Sequence, residues 1–153
     1  MFKRLIISRD EISSIIHIND PFLMIDGVLE LNEGRSLKAY LDVRNDKWFF
    51  SCHLSDEGVM PATLIIEGML QSMVLLIYKS FRHDANISFI TKIDSKILSP
   101  VRPGDNISYE ANILSLKRGI FKGGISTKLD GKEIAWAEVV YASPHMYYSN
   151  QAV

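Results

Sequence analysis

The stretch His53–Phe81, HLSDEGVMPATLIIEGMLQSMVLLIYKSF, decides how the rest of the chain is read. It holds the longest apolar segment of the sequence, interrupted near its start by Glu67 and, four residues later, by Gln71. A helix puts residues four apart on one face, so this carboxylate and this amide are neighbours. Pro61 suits the first helical turn, where its missing N–H leaves no bond unmade. From Leu64 to Ile77 apolar side chains surround the axis on every side, which predicts a buried helix over residues 61–80. A carboxylate inside such a helix is costly unless it is paired, hydrogen-bonded or protonated. Glu67 therefore points to catalysis, with pairing to Arg82 or to a backbone donor as the structural alternative.

The 153 residues fit one domain over 1–153, with about 144–153 as a loose tail, and 47 % apolar against 23 % charged residues can bury a real core. A formal net charge of -1 argues against a general nucleic-acid or anionic-membrane surface, although Lys117, Arg118 and Lys122 form a local basic patch. Cys52 is the only cysteine, so no disulfide within the chain and no zinc motif can form. A chain of this kind fits a reducing compartment. The N-terminal MFKRLIISRDE returns to charge too soon to read as a signal peptide, and the cytoplasm is the expected location. The central helix is long enough to cross a bilayer, but Glu67 and Gln71 make a span expensive, so no membrane is expected.

Working outward, Ser8 followed three residues later by Glu11 has the form of a capping box and predicts a short helix over 8–16. Asn19-Asp20-Pro21 breaks it. PFLMIDGVLEL then reads as a β-prone run ending at the turn Asn32-Glu33-Gly34, and residues 35–43 return as its paired strand. A loop over roughly 44–60 carries Trp48, Phe49, Phe50 and His53. Beyond the central helix, Arg82-His83-Asp84 connects to a strand over about 86–99, and Pro100, Pro103 and Gly104 turn the chain. Ile107, Tyr109, Ala111 and Ile113 alternate with polar residues, which predicts a half-buried strand. Lys117-Arg118-Gly119 and Asp130-Gly131 mark two further turns, and a last strand carries Ile134 to Tyr141. The class is α+β: an antiparallel sheet wrapped around one long helix is the simplest packing that buries it.

This order, with DPFLMIDGVLEL, FFSCH, VMPATLIIEGMLQ and SPVRPGD in register over roughly residues 12–140, resembles the β-hydroxyacyl-acyl carrier protein dehydratases. Those proteins have the hotdog fold, and in them FFxGHFPGxPVMPG leads into a helix containing ExxxQ. The resemblance implies that His53 and Glu67 are the catalytic pair and that Gln71 is the helix glutamine. The departures concentrate beside the site. The family's GHFPG reads Cys52-His53-Leu54-Ser55-Asp56 here, its next proline is Gly58, and the glycine after the helix proline is Ala62. Near the start the family's PHR reads His17-Ile18-Asn19, so His17 sits one place off and does not inherit that role.

Dehydration of a 3-hydroxyacyl thioester needs a base for the C2 proton, an acid for the departing C3 hydroxyl and donors for the enolate oxygen. Histidine titrates near neutrality, and a carboxyl in an apolar site keeps its proton to higher pH. His53 and Glu67 fit those roles, and the N–H of Ala62 at the helix start fits the third. Gln71 is either an orienting group or a structural hydrogen-bonder. Met60 and Met69 are most simply core or tunnel lining, and Phe50 either plugs a core edge or lines the acyl tunnel. A Cys52–His53 pair is disfavoured because neighbours in an extended segment point to opposite sides. The resemblance further implies an acyl carrier protein or coenzyme A thioester as substrate, no cofactor and no metal. It also implies a homodimer in which His53 of one subunit faces Glu67 of the other, with a trimer of dimers as the larger assembly. A hotdog thioesterase and a non-catalytic hotdog protein that binds acyl carriers are the competing readings, the altered loop favouring the second.

Overall fold

The computed structural model describes residues 4–81 and 88–144. The elements run β1 (Ile7–Ser8), α1 (Arg9–Ile16), β2 (Gly27–Asn32), β3 (Ser36–Asp42), a 3-10 turn (Trp48–Ser51), α2 (Ala62–Ser80), β4 (Phe89–Ile97), β5 (Asn106–Lys117), β6 (Ile120–Leu129) and β7 (Lys132–Ala142). The capping box forms as expected: Ser8 caps α1, with the Glu11 carboxylate returning to the Ser8 backbone N–H at 2.7 Å. The helix stops at Ile16, before the Asn-Asp-Pro breaker, because His17 closes it in a left-handed conformation with φ 57°.

The strands form one seven-stranded sheet in the order β1-β2-β3-β5-β6-β7-β4, with every pairing antiparallel. Two of its hairpins are closed by pairs that both take positive φ: Arg118 and Gly119 at 51° and 73°, Asp130 and Gly131 at 51° and 78°. Such turns twist in the same sense as the strands they join. The inner face of the sheet alternates as read: Ile107, Tyr109 and Ala111 of β5 and Phe121 and Ile125 of β6 are buried, with Val139 and Tyr141 of β7. Helix α2 lies across that face, and twelve of its 19 residues are buried. Burial of each large aliphatic side chain contributes about 1.5–3 kcal/mol. That packing, more than the intrinsic propensity of the segment, fixes the helix. Closest approach comes at Gly68, where a Cβ would stand 2.1 Å from the Tyr109 hydroxyl oxygen. This is the hotdog fold that the resemblance implied.

Several boundaries differ from the sequence reading. Residues 21–26 are not strand, and β2 begins only at Gly27. Arg9 donates to the carbonyls of Ile25 at 2.9 Å and Leu23 at 3.1 Å and to the carboxylates of Asp20 and Asp26, so side chains hold this segment in place of a ladder. Pro61 is the residue before α2, with ψ 127°, rather than a member of its first turn. Nor is α2 buried on every side, since Ile66, Glu67 and Val74 are only half-buried. The edge strand explains this. On β4, Ile90 and Ile93 pair with the inward-facing Tyr141 and Val139, yet they are 43 % and 44 % exposed among the described residues. The expected connection at Arg82-His83-Asp84 and the tail from residue 145 lie outside the described residues.

Candidate active site

Glu67 and Gln71 share a face of α2, one turn apart, and this face borders a cleft of about 270 Å³. Gln71 is 1 % exposed, and every polar group of its amide is engaged. Its Oε1 accepts from the Met24 N–H at 2.8 Å, while Nε2 donates to the Phe22 carbonyl and to Glu67 Oε1, both at 2.9 Å. A backbone N–H can only donate, so Met24 fixes which end of the amide is oxygen. Gln71 thereby ties α2 to the 22–24 segment and hydrogen-bonds one carboxyl oxygen of Glu67. The Arg82 partner considered for Glu67 falls outside the described residues.

His53 sits in the loop between the 3-10 turn and α2, with Nδ1 3.2 Å from the Val59 carbonyl oxygen. A carbonyl only accepts, so Nδ1 carries a hydrogen and Nε2 of the neutral ring is left as the basic nitrogen. The loop lacks the expected prolines and is held in other ways. Leu54 turns it with φ 42°, its carbonyl accepting from the Glu57 N–H at 2.8 Å. Arg102 donates to the Glu57 carbonyl at 3.0 Å, and the Met60 N–H bonds the Val101 carbonyl at 2.9 Å. Cys52 turns its thiol back toward the carbonyls of Trp48 and Phe49, not toward His53.

At the start of α2 no side chain caps the helix, and Ala62 and Thr63 are exposed, so the first N–H groups face outward unpaired by side chains. Ala62 is not among the residues with positive φ, so it fills this position without backbone strain. Phe50, Met60 and Met69 are 8 %, 1 % and 0 % exposed and belong to the core, where Phe50 packs on Phe49 at 4.7 Å. The cleft beside Glu67 is walled instead by Val74, Tyr78, Ile18 and Ile90. Sequence reasoning missed these four. The signal available was their spacing: Val74 and Tyr78 follow Glu67 at seven and eleven residues, on the same helical stripe. His53 is not among the residues lining this cleft. Among the described residues no cluster of three or more His, Cys, Asp or Glu side chains could hold a metal.

Residues 17–138 match the family model of the FabA-like domain. A 3-hydroxyacyl-acyl-carrier-protein dehydratase FabZ from Petrotoga mobilis is 39 % identical over 133 residues, covering 86 % of this chain and 94 % of its own. Another, from Bacillus licheniformis, is 32 % identical over 86 % of this chain and 92 % of its own. Among solved structures, the dehydratase heterocomplex ApeI:P from Xenorhabdus doucetiae superposes with TM-score 0.69 at 13 % identity, covering 89 % of this chain and 93 % of that one. At that identity the superposition speaks for the fold alone. The family match spans most of the chain and both candidate catalytic residues, and the chain belongs to the FabA-like domain family.

Proposed function

We propose that the protein converts 3-hydroxyacyl thioesters of acyl carrier protein into 2-enoyl thioesters and water, with His53 as base and Glu67 as acid. The observation that carries this reading is the Gln71-oriented carboxyl of Glu67 bordering an apolar cleft, in a chain 39 % identical to a protein named for that reaction. His53 Nε2 accepts the C2 proton, and the electron pair left on C2 moves toward the thioester as an enolate. Its oxygen meets the N–H groups at Ala62, where the helix dipole favours negative charge. Protonated Glu67 delivers its proton to the C3 hydroxyl. The C3–O bond breaks, C2 and C3 become doubly bonded, and water departs. The proton on His53 then returns the carboxyl to its starting state through solvent.

The assembly in this reading is a homodimer joined across β4. Among the described residues that strand pairs with β7 alone, and its inward Ile90 and Ile93 are exposed in the single chain. A second copy covering this edge removes an open row of backbone donors and acceptors and buries the two side chains. It also supplies the histidine that the Glu67 cleft lacks. A trimer of such dimers is the larger assembly we propose. The protein works in the cytoplasm, with α2 as a core helix despite its length and apolar character.

Purified protein incubated with 3-hydroxyacyl and with 2-enoyl thioesters, followed by enoyl absorbance and by free thiol, tests the reading. Enoyl formation without thiol release is the expected result. Thiol release without enoyl product indicates a thioesterase, and neither signal indicates a binding protein.

A further inference from the structure

The cleft beside Glu67 continues along α2 for far more than the reacting atoms need. Its helical wall is Glu67, Leu70 and Gln71, Val74 and Tyr78, successive members of one stripe, and it stops at Tyr78. At 1.5 Å per residue this run is about 16 Å long. Glu67 and Gln71 put a carboxyl and an amide at the first turn of this wall, and Val74 with Ile16, Ile18 and Ile90 supplies apolar lining. Val74 is half-buried, so part of its side chain remains open to the space. A β-branched side chain on a helix holds essentially one rotamer, so Val74 cannot swing aside. It is a fixed step in the wall.

Tyr78 differs from the rest of the stripe. It is 8 % exposed, and its hydroxyl makes no hydrogen bond among the described residues. The other phenol on the cleft, Tyr141, is already committed to the Leu70 carbonyl at 2.9 Å. A rigid ring at the last position of the stripe is where a hydrocarbon chain running from Glu67 meets an obstacle.

We infer that Val74 and Tyr78 are specificity-determining residues that set the length of the acyl chain: Val74 fixes the bore of the cleft midway and Tyr78 stops the chain at its far end. This rests on the dehydratase reading, since it places C3 of the substrate at Glu67. An extended hydrocarbon advances slightly less than one C–C bond, about 1.5 Å, per carbon. The stripe therefore holds roughly a dozen carbons beyond C3, a medium-length to long acyl group.

The test is the kcat/KM profile of the full-length protein with 3-hydroxyacyl thioesters of about four to eighteen carbons, because each buried methylene is worth roughly fourfold. Wild type is expected to gain with each carbon until the stripe is full and then to level off or fall. Val74→Phe places a ring halfway along and moves that break to shorter chains, lowering the ratio of long-chain to short-chain kcat/KM by roughly a hundredfold. Tyr78→Ala moves the break to longer chains. Should Tyr78→Ala fail to fold, Val74→Phe decides alone. A wild-type length profile in Val74→Phe, with dehydration intact, overturns this inference and leaves the dehydratase reading standing. No turnover by the wild type at any length overturns both.

Discussion

Gln71 Nε2 lies 2.9 Å from Glu67 Oε1 with both amide protons committed, because the Phe22 carbonyl takes the second, while the Met24 N–H donates to the amide oxygen. The pair is thus one corner of a closed network that runs from α2 into the segment before β2. One carboxyl oxygen of Glu67 is held by this network, and the other is left for the cleft. Orientation of an acid in this way counts directly toward proton transfer, which needs the group within hydrogen-bond reach of its target.

Gln71→Leu removes the network while keeping much of the volume. The buried Met24 N–H loses its partner at about 1–3 kcal/mol, and the part-buried Phe22 carbonyl loses one as well. We predict a fall in the urea midpoint together with a drop in kcat of more than about tenfold and a smaller change in KM. A variant that loses stability but keeps wild-type kcat would show that Gln71 only holds the fold.

Tyr109 offers a gain in stability. Its hydroxyl is fully buried against Gly68 and has no hydrogen-bond partner, and burial holds its proton far above the ordinary tyrosine range. Tyr109→Phe removes an unsatisfied polar group without leaving a large void, and is expected to raise stability by about 1–3 kcal/mol. Gly68→Ala should do the reverse by about 1–3 kcal/mol, because its Cβ meets the hydroxyl oxygen at 2.1 Å and Cζ at 2.4 Å. The Cζ contact means that Tyr109→Phe relieves only part of the damage in the double variant. Chemical denaturation of all three variants checks both signs.

Acid sensitivity has one traceable source. The Arg9 guanidinium, chiefly through its hydrogen bond, holds the carboxyl of Asp20 below its ordinary value of 3.8. A carboxyl depressed on folding adds stability that is fully present above its unfolded pKa and lost as pH falls through the folded one. Asp20 is largely exposed, so the effect is small. Thermal midpoints measured from about pH 6 down to about pH 3 should fall less steeply for Asp20→Asn than for wild type. Identical slopes would show that the pair does not contribute.

Much of this fold was legible because its signals are local. Ser8 and Glu11 announce α1, Arg118-Gly119 and Asp130-Gly131 announce two hairpins, and the alternation through Ile107, Tyr109 and Ala111 announces the inner face of β5. What the sequence hid depends on residues far apart in the chain. Nothing near Phe22 signals that its carbonyl is reserved for Gln71, 49 positions away, so a β-prone run was extended too far. Arg9 is an ordinary first-turn residue until the fold brings the 20–26 segment around it. Glu67 was read as buried because an apolar helix surrounds it. Its half-buried state goes with an edge strand whose inner face no described residue covers. Met60 and Met69, readable from sequence as core or tunnel lining, are buried.

The central claim is that His53 of one protomer and Glu67 of its partner form a single dehydratase site. Its most direct test is coexpression of His53→Ala and Glu67→Gln chains carrying different tags, followed by isolation of the mixed dimer. Each variant alone should lose at least about a hundredfold in enoyl formation, the usual worth of a general base or acid. In the mixed dimer one site collects both substitutions and the other collects none, so about half of wild-type turnover per dimer is expected. A mixed dimer as inactive as its parents would contradict the account, because each site would then draw both groups from the same chain.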